Sequence, residues 1–519
     1  MHSLVVADAS GTPHPKPDVV VTEAHGEFIF MDQGDGRESP LTSSVRAGFH
    51  RTRAEITRFR PLGVRRAIRS EPGSSSGARS RRAVRGSVTE VRSRLAAVRY
   101  RAQGMTRAAV ALTREQATEG ARVGDTADDG LRLAIALDGT GWHPASWRVP
   151  GARARELLTA GYWVDVVREA AEGLVDLVTI EDSLGLQADG RRDPGERTDR
   201  VRGRLDAVLV ASRVAPLVPH VGLVPTAVTT HTEPFHLSKA IATLDYVSEG
   251  RAGVQVQVSG REDEAELVGR RPVLPVADLF EEAADWVEVV RRLWDSWEDD
   301  AEIRDAATGR FVDRDKLHYI DFHGRFFSVR GPSITPRPPQ GQPVVAALAP
   351  ADVAFELVGR CADLGFVTPR TTSDIPGILA PIRAAQETAG RAAEPLPVLG
   401  DVLVVLADDA RAAADRLARL DELAGEPLHS DALVFAGAPV ELADLLIEWR
   451  RAGLAGARLR PATIADDLPA ITRQLVPELQ RRGAYRTAHP SPASWSATLR
   501  GRLGADRPAN RYATAGGAR

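Results

Sequence analysis

A single cysteine, Cys361, stands among the 519 residues, so no disulfide can form within the chain, and a reducing compartment is the expected setting. No run approaches the roughly 18 apolar residues that a membrane span needs. The opening stretch MHSLVVADASGTPHPKPDVVV has a short apolar run and no basic lead-in, which makes a poor secretory signal. The expectation is a soluble, cytoplasmic protein. An excess of charge is missing too. With 67 basic against 70 acidic residues, the chain as a whole implies neither a nucleic-acid nor a membrane partner. No Gly-x-Ser-x-Gly elbow occurs from residue 129 onward. The only match in the chain, GSSSG at 73–77, lacks the strand pattern before it and the helix pattern after it that an elbow needs. No His-Glu-x-x-His pair occurs either, so the usual nucleophile-plus-base and zinc signatures are missing.

What is present divides sharply near residue 128. The first 128 residues include RSEPGSSSGARSRRAVRGSVTEVRSRLAAVRYRAQG, which is rich in Arg, Ser, Gly and Ala and poor in aromatics. Such a composition buries too little apolar surface to offset chain entropy, and a disordered extension is expected rather than a basic arm. From residue 129 to 519 short apolar runs alternate with amphipathic stretches. The runs are LRLAIAL (131–137), LVDLVTI (174–180), HVGLVPT (220–226), AGVQVQV (252–258), QPVVAAL (342–348), ADLGFVT (362–368), LPVLGDVLVVLAD (396–408) and AGARLRP (455–461). Eight strand-then-helix units predict a (β/α)8 barrel with an insertion at about 260–340, between the fourth and fifth strands. An open doubly wound sheet is disfavoured, because ALDGTGWH lacks the third glycine of a dinucleotide turn.

In such a barrel the chemistry lies at the carboxyl ends of the strands. Those ends read Asp138, Gly139, Trp142 and His143; then Glu181, Asp182 and Ser183; then Thr226, Thr229, Thr230 and His231; then Ser259. Singly each has a bland role, since an Asp after a strand is commonly a helix cap and threonines suit strands. Together, four consecutive strands ending in hydrogen-bonding groups suit a large polar ligand across the barrel mouth. Few acid/base groups accompany the hydroxyls, which fits a cofactor that brings its own reactivity.

The stretch TTHTEPFHLSKAIATLDYVSEGRAG (229–253) resembles a signature of the bacterial luciferase-like flavin monooxygenases, in the nitrilotriacetate/EDTA and dibenzothiophene-sulfone branch. VVRRLWDSWEDDA, DKLHYIDFHGRFFSVRGP, RPPQGQPVV, GARLRP and VPELQRRGAYRT follow further blocks of that branch, over about 131–512. The resemblance implies a (β/α)8 barrel that takes reduced FMN from a separate NAD(P)H:flavin reductase. It implies activation of O2 as a flavin hydroperoxide, oxidation of a small organic substrate, and a homodimer. Residue by residue, it carries over Asp182 and one threonine among Thr226, Thr229 and Thr230 as flavin contacts; Ser183, Gln255, where the family has Asn, and Ser259 complete the candidate cofactor-binding residues. His143 and His231 become the candidates for shielding and proton transfer, with no metal.

The same resemblance marks departures. Where the branch carries a His-x-x-Arg-Tyr element for the phosphate, this chain has Val276, Leu279 and Phe280. Where it carries Gln-Ala-Gly-x-Ser-x-x-Gly after strand five, this chain reads Ala347, Leu348, Ala349, Pro350, Ala351 and, at the last position, Ala354. Pro350 has no amide hydrogen to donate. Arg270, Arg271 and Lys239 are the candidates to compensate. Two alternatives therefore stay open: a deazaflavin-dependent oxidoreductase, and a barrel that no longer binds flavin and serves as a binding or scaffold protein.

Overall fold

The computed structural model describes residues 19–24, 27–32, 130–187 and 197–513. The chain divides into two units, Met1–Val123 and Gly124–Arg519. In the first, Val19–Ala24 pairs antiparallel with Glu27–Asp32; the expected disorder of the extension otherwise lies outside the described residues.

The second unit is a closed parallel barrel. Its strands are β1 (Arg132–Leu137), β2 (Leu177–Ile180), β3 (Gly222–Val228), β4 (Gly253–Gln257), β5 (Val344–Ala349), β6 (Leu364–Val367), β7 (Val398–Leu406) and β8 (Gly456–Pro461). Each pairs with its chain neighbours, and β8 returns to β1, with Gly456 opposite Arg132. All eight expected strands are there, and the fold is the expected (β/α)8 barrel. The runs read as continuous apolar stretches because each strand is covered on both faces, by helices outside and by its opposite numbers inside. In β1, Leu133, Ile135 and Leu137 face the helices, and Ala134 faces the barrel interior. The lower interior is filled by Leu177, Val224, Val344, Phe366 and Leu399, and Leu499 of the short helix Leu499–Arg502 packs among them.

The insertion follows β4 as expected. It holds the helices Glu262–Val268 and Val276–Asp295 and two small antiparallel pairs, Glu302–Asp305 with Arg310–Val312 and Phe322–His323 with Ser328–Val329. Two buried tryptophans fasten its long helix to the segment after β3. Trp286 donates to the Thr232 carbonyl and Trp294 to that of Ser238, each at 2.9 Å.

One element departs from the sequence reading. Leu433–Gly437 forms a ninth parallel strand on the upper half of β7. Leu433 to Ala436 are only half-buried, and a run of five residues is too short to stand out between two helices. It matters because the turn before it carries Asp431 to the mouth.

At the amino end, His220 and His489 stack with ring centroids 4.6 Å apart. Burial first, then the nearby arginines Arg251 and Arg502, lower the His220 pKa; burial, His220 and Arg486 push His489 down to about 4. Both folded-state values lie below the ordinary 6.5. The unfolded chain therefore binds more protons over this range, and the pair's contribution to stability is complete above pH 6.5 and is lost as pH falls toward 4. His489→Gln is expected to flatten the decline of melting temperature between those values relative to the wild type. Superimposable pH profiles would show that the pair does not couple folding to protonation.

Candidate functional site

Strand alternation decides which strand-end residues meet. Side chains two apart share a face, so Leu177, Thr179 and Glu181 point into the barrel and Asp182 points away. The hydrogen bonds agree. Both Asp182 oxygens accept backbone amides, from Ser183 and from Ala207 at the start of the helix Ala207–Val214, each at 2.8 Å. Burial raises its pKa, with the two amides opposing. Ser183 donates to the Gly185 carbonyl at 3.0 Å. These two residues build the turn after β2.

Glu181 is the carboxylate of the mouth. It accepts from Thr179 at 3.1 Å, from Gln255 at 3.3 Å and from Thr226 at 3.5 Å, and lies 3.4 Å from Arg458. Gln255 donates to Thr226 at 3.1 Å and accepts from Arg458. Arg458 and Arg460, two apart on β8, both point inward and both are buried. Asp401 of β7 receives Nε of each at 2.8 Å, and Asp431 completes the set by pairing with Arg460. The Arg458 guanidinium lies 4.1 Å above the Phe366 ring, and that of Arg460 lies 4.6 Å above Trp142. The upper barrel interior is thus a connected ionic layer. Sequence reasoning placed Thr226 and Gln255 in the site, noted Glu181 only as a strand end, and missed Arg458, Arg460 and Asp401. The available signal was period-two spacing: charges at 458 and 460 of one strand and at 401 of the next.

The remaining expected residues fall into two sets. Thr229 donates to the Gln257 carbonyl at 3.1 Å and ties β3 to β4. Thr230 accepts from the Ser259 amide at 2.9 Å, and Ser259 accepts from the Arg261 amide at 3.3 Å. Neither of these last two hydroxyls donates to anything among the described residues, so each keeps a proton to offer a ligand. His143 is fully buried. Its Nδ1 accepts the Ala145 amide at 3.1 Å, which puts the proton on Nε2, 3.0 Å from Asp421. Burial lowers its pKa despite Asp421, so it is a neutral bridge from the β1 loop to the helix Ala410–Ala424. His231 differs: neither ring nitrogen has a hydrogen-bond partner, and burial followed by Arg271 lowers its pKa.

A cavity of about 160 Å³ opens beside Asp138, Trp142 and His143. Burial raises the Asp138 pKa, with Arg204 opposing and Glu181 and Asp182 adding to it. A larger cavity of about 670 Å³ lies at the opposite end, between Arg291, Cys361 and Arg500. Burial pushes the Cys361 thiol up to about 11, so it is no nucleophile near neutral pH.

The donor set can be tested against the flavin that the resemblance implies. Thr230, Ser259 and His231 offer polar contacts suited to a ring and its attached chain. The phosphate finds no such fit. The turn at Ala349–Ala351 supplies no side-chain donor, and the helix Asp352–Cys361 begins with an uncapped Ala351 and then Asp352. The helix Val276–Asp295 carries Asp278 in its first turn, paired with Arg325 at 2.6 Å. Helix amino termini attract anions, but each of these two already carries a carboxylate.

The model of the luciferase-like monooxygenase family matches residues 146–452, more than half of the chain. N-acetyl-S-(2-succino)cysteine monooxygenase of Bacillus subtilis is 28% identical, with 74% of this chain and 98% of that protein aligned. Nitrilotriacetate monooxygenase component A of Aminobacter aminovorans shows the same 28% identity and the same coverage. Among solved structures, the EDTA monooxygenase of Chelativorans superposes with a TM-score of 0.63 at 22% identity, over 73% of this chain and 99% of that one. A long-chain alkane monooxygenase superposes with a TM-score of 0.66 at 20% identity, over 72% and 95%. On this match, and with a barrel whose polar groups gather at its carboxyl mouth, the chain belongs to the luciferase-like monooxygenase family and is a flavin-dependent enzyme of that class.

Proposed function

We propose that the protein is the oxygenating component of a two-component monooxygenase. It receives a reduced flavin from a separate NAD(P)H:flavin reductase and uses O2 to oxidise a small organic molecule. The observation that carries this reading is the convergence of strand-end groups on one mouth, with Glu181, Thr226 and Gln255 joined in one network and Thr230, Ser259 and His231 left with bonding capacity. The similarity to nitrilotriacetate monooxygenase component A along nearly all of that protein's length supports the partner reductase. Pairing of barrels as a homodimer is part of the same proposal and rests on the resemblance.

The reduced flavin and O2 supply the oxygenating chemistry; the chain's residues bind, orient and shield. Thr230 and Ser259 would donate to acceptor atoms of the flavin. Glu181, paired with Arg458, would fix the polarity of the mouth floor. The segment after β3 and the insertion helix Glu262–Val268 would cover the ring and limit water.

The test needs no substrate. Anaerobically reduced flavin is mixed with aerated buffer, with and without excess purified protein, and its reoxidation is followed by absorbance. Protein that holds the flavin away from bulk water is expected to change the reoxidation rate severalfold. Identical traces would refute the reading.

A further inference from the structure

We infer that the mouth accepts a flavin whose side chain ends as an uncharged polyol, with riboflavin its simplest form, and that it discriminates against a terminal phosphate. The inference rests on the flavin reading above, and three separate features of the rim support it.

The first is a pair of side chains whose buried polar atoms lack hydrogen bonds. The Glu264 side chain is 1% exposed, and neither carboxylate oxygen has a hydrogen bond. Its nearest cation is Arg261, with Nε 3.7 Å away and engaged at 3.0 Å by Asp263. Gly185, after β2, packs behind it: a methyl group there would stand 3.1 Å from Glu264 Cγ. His231, after β3, also lacks any hydrogen bond, and the Glu264 charge acts on it. Carboxylate and imidazole thus belong to neighbouring segments above the ends of β2, β3 and β4, the segments after β3 and β4 being joined by the Ser259 amide on Thr230. Native proteins rarely leave such groups unbonded. A carboxylate accepts from hydroxyls, and a neutral imidazole offers one donor and one acceptor. A polyol chain, each hydroxyl both donor and acceptor, satisfies them all, together with the free hydroxyl protons of Thr230 and Ser259. A phosphate dianion has only acceptors and would be repelled by Glu264.

The second feature is the turn at Ala349–Ala351, which lacks side-chain donors and leads into Asp352. The third is that the arginines flanking His231 are occupied. Arg270 pairs with Glu233 at 2.6 Å, and Arg271 binds both Glu282 and the Thr230 carbonyl. Recruiting either for a phosphate would strip a carboxylate of its partner.

Oxidised riboflavin, FMN and tail-less lumiflavin, titrated into the wild-type protein and followed by flavin fluorescence, decide the matter. Riboflavin is expected to bind severalfold more tightly than FMN and about tenfold more tightly than lumiflavin, one tenfold step being one good hydrogen bond to the tail. Glu264→Gln is expected to shift the preference toward FMN by severalfold. If that variant does not fold, His231→Gln replaces it and is expected to narrow the gap between riboflavin and lumiflavin. FMN binding as tightly as riboflavin or more tightly in the wild type would overturn the inference and leave the flavin reading standing. Equal affinity for riboflavin and lumiflavin would also overturn it. Failure of all three to bind would instead remove the flavin reading on which it rests.

Discussion

Replacing Asp401 by Ala is expected to abolish the stable fold of the barrel. Asp401 is completely buried and receives both Arg458 and Arg460, themselves buried on the neighbouring strand. Removing one member of a buried ionic group leaves uncompensated charge and costs about 3–5 kcal/mol. Here two guanidinium groups lose their shared partner, and a domain's whole stability is only about 5–15 kcal/mol. Asp431, half exposed, would hold Arg460 alone, and Glu181, with one side-chain oxygen 3.4 Å away, would be the nearest carboxylate to Arg458. Asp401→Asn, which keeps the shape and drops the charge, is expected to fall between the two. Urea denaturation of the soluble fraction measures all three proteins. A loss below about 1 kcal/mol for Asp401→Ala, the scale of one ordinary hydrogen bond, would show that the remaining acids suffice.

Rebuilding the turn after β5 is expected to tighten FMN binding. Ala351→Ser returns a hydroxyl to the helix cap, and Pro350→Gly returns an amide donor. A hydrogen bond to a charged group contributes about 1.5–3 kcal/mol, and each 1.4 kcal/mol is tenfold in affinity. The two changes together, with Ala349→Gly for close backbone approach, are expected to tighten FMN by tenfold or more and to leave riboflavin unchanged. Isothermal titration with both flavins provides the comparison. Equal gains for the two flavins would show that the turn touches the ring or its chain, and no gain for either that the phosphate lies elsewhere.

The two variants probe features of different legibility. The turn was readable, because Ala349, Pro350 and Ala351 stand in consecutive order where donors were expected, and a local loss shows locally. The ionic layer was not. Arg458 and Asp401 are 57 positions apart, and His143 and Asp421 are 278 apart. Such pairs exist only once strand register and barrel closure have brought the chains together. Glu181 against Asp182 is the intermediate case. The resemblance pointed to Asp182 as the flavin contact, whereas two-residue alternation along β2 already turns Glu181 inward and Asp182 toward the next helix.

The sequence by itself determined the eight strands, their chain order around the barrel, the insertion after the fourth and the end at which the polar groups gather. Each of these follows from a short-range pattern: apolar runs of strand length, helical periodicity between them, and polar residues where a strand stops. Only the tertiary structure decided which of those polar groups are engaged by neighbours and which keep bonding capacity for a ligand. That distinction depends on distances of about 3 Å between side chains remote in sequence, and a hydrogen bond is made or missed on that scale.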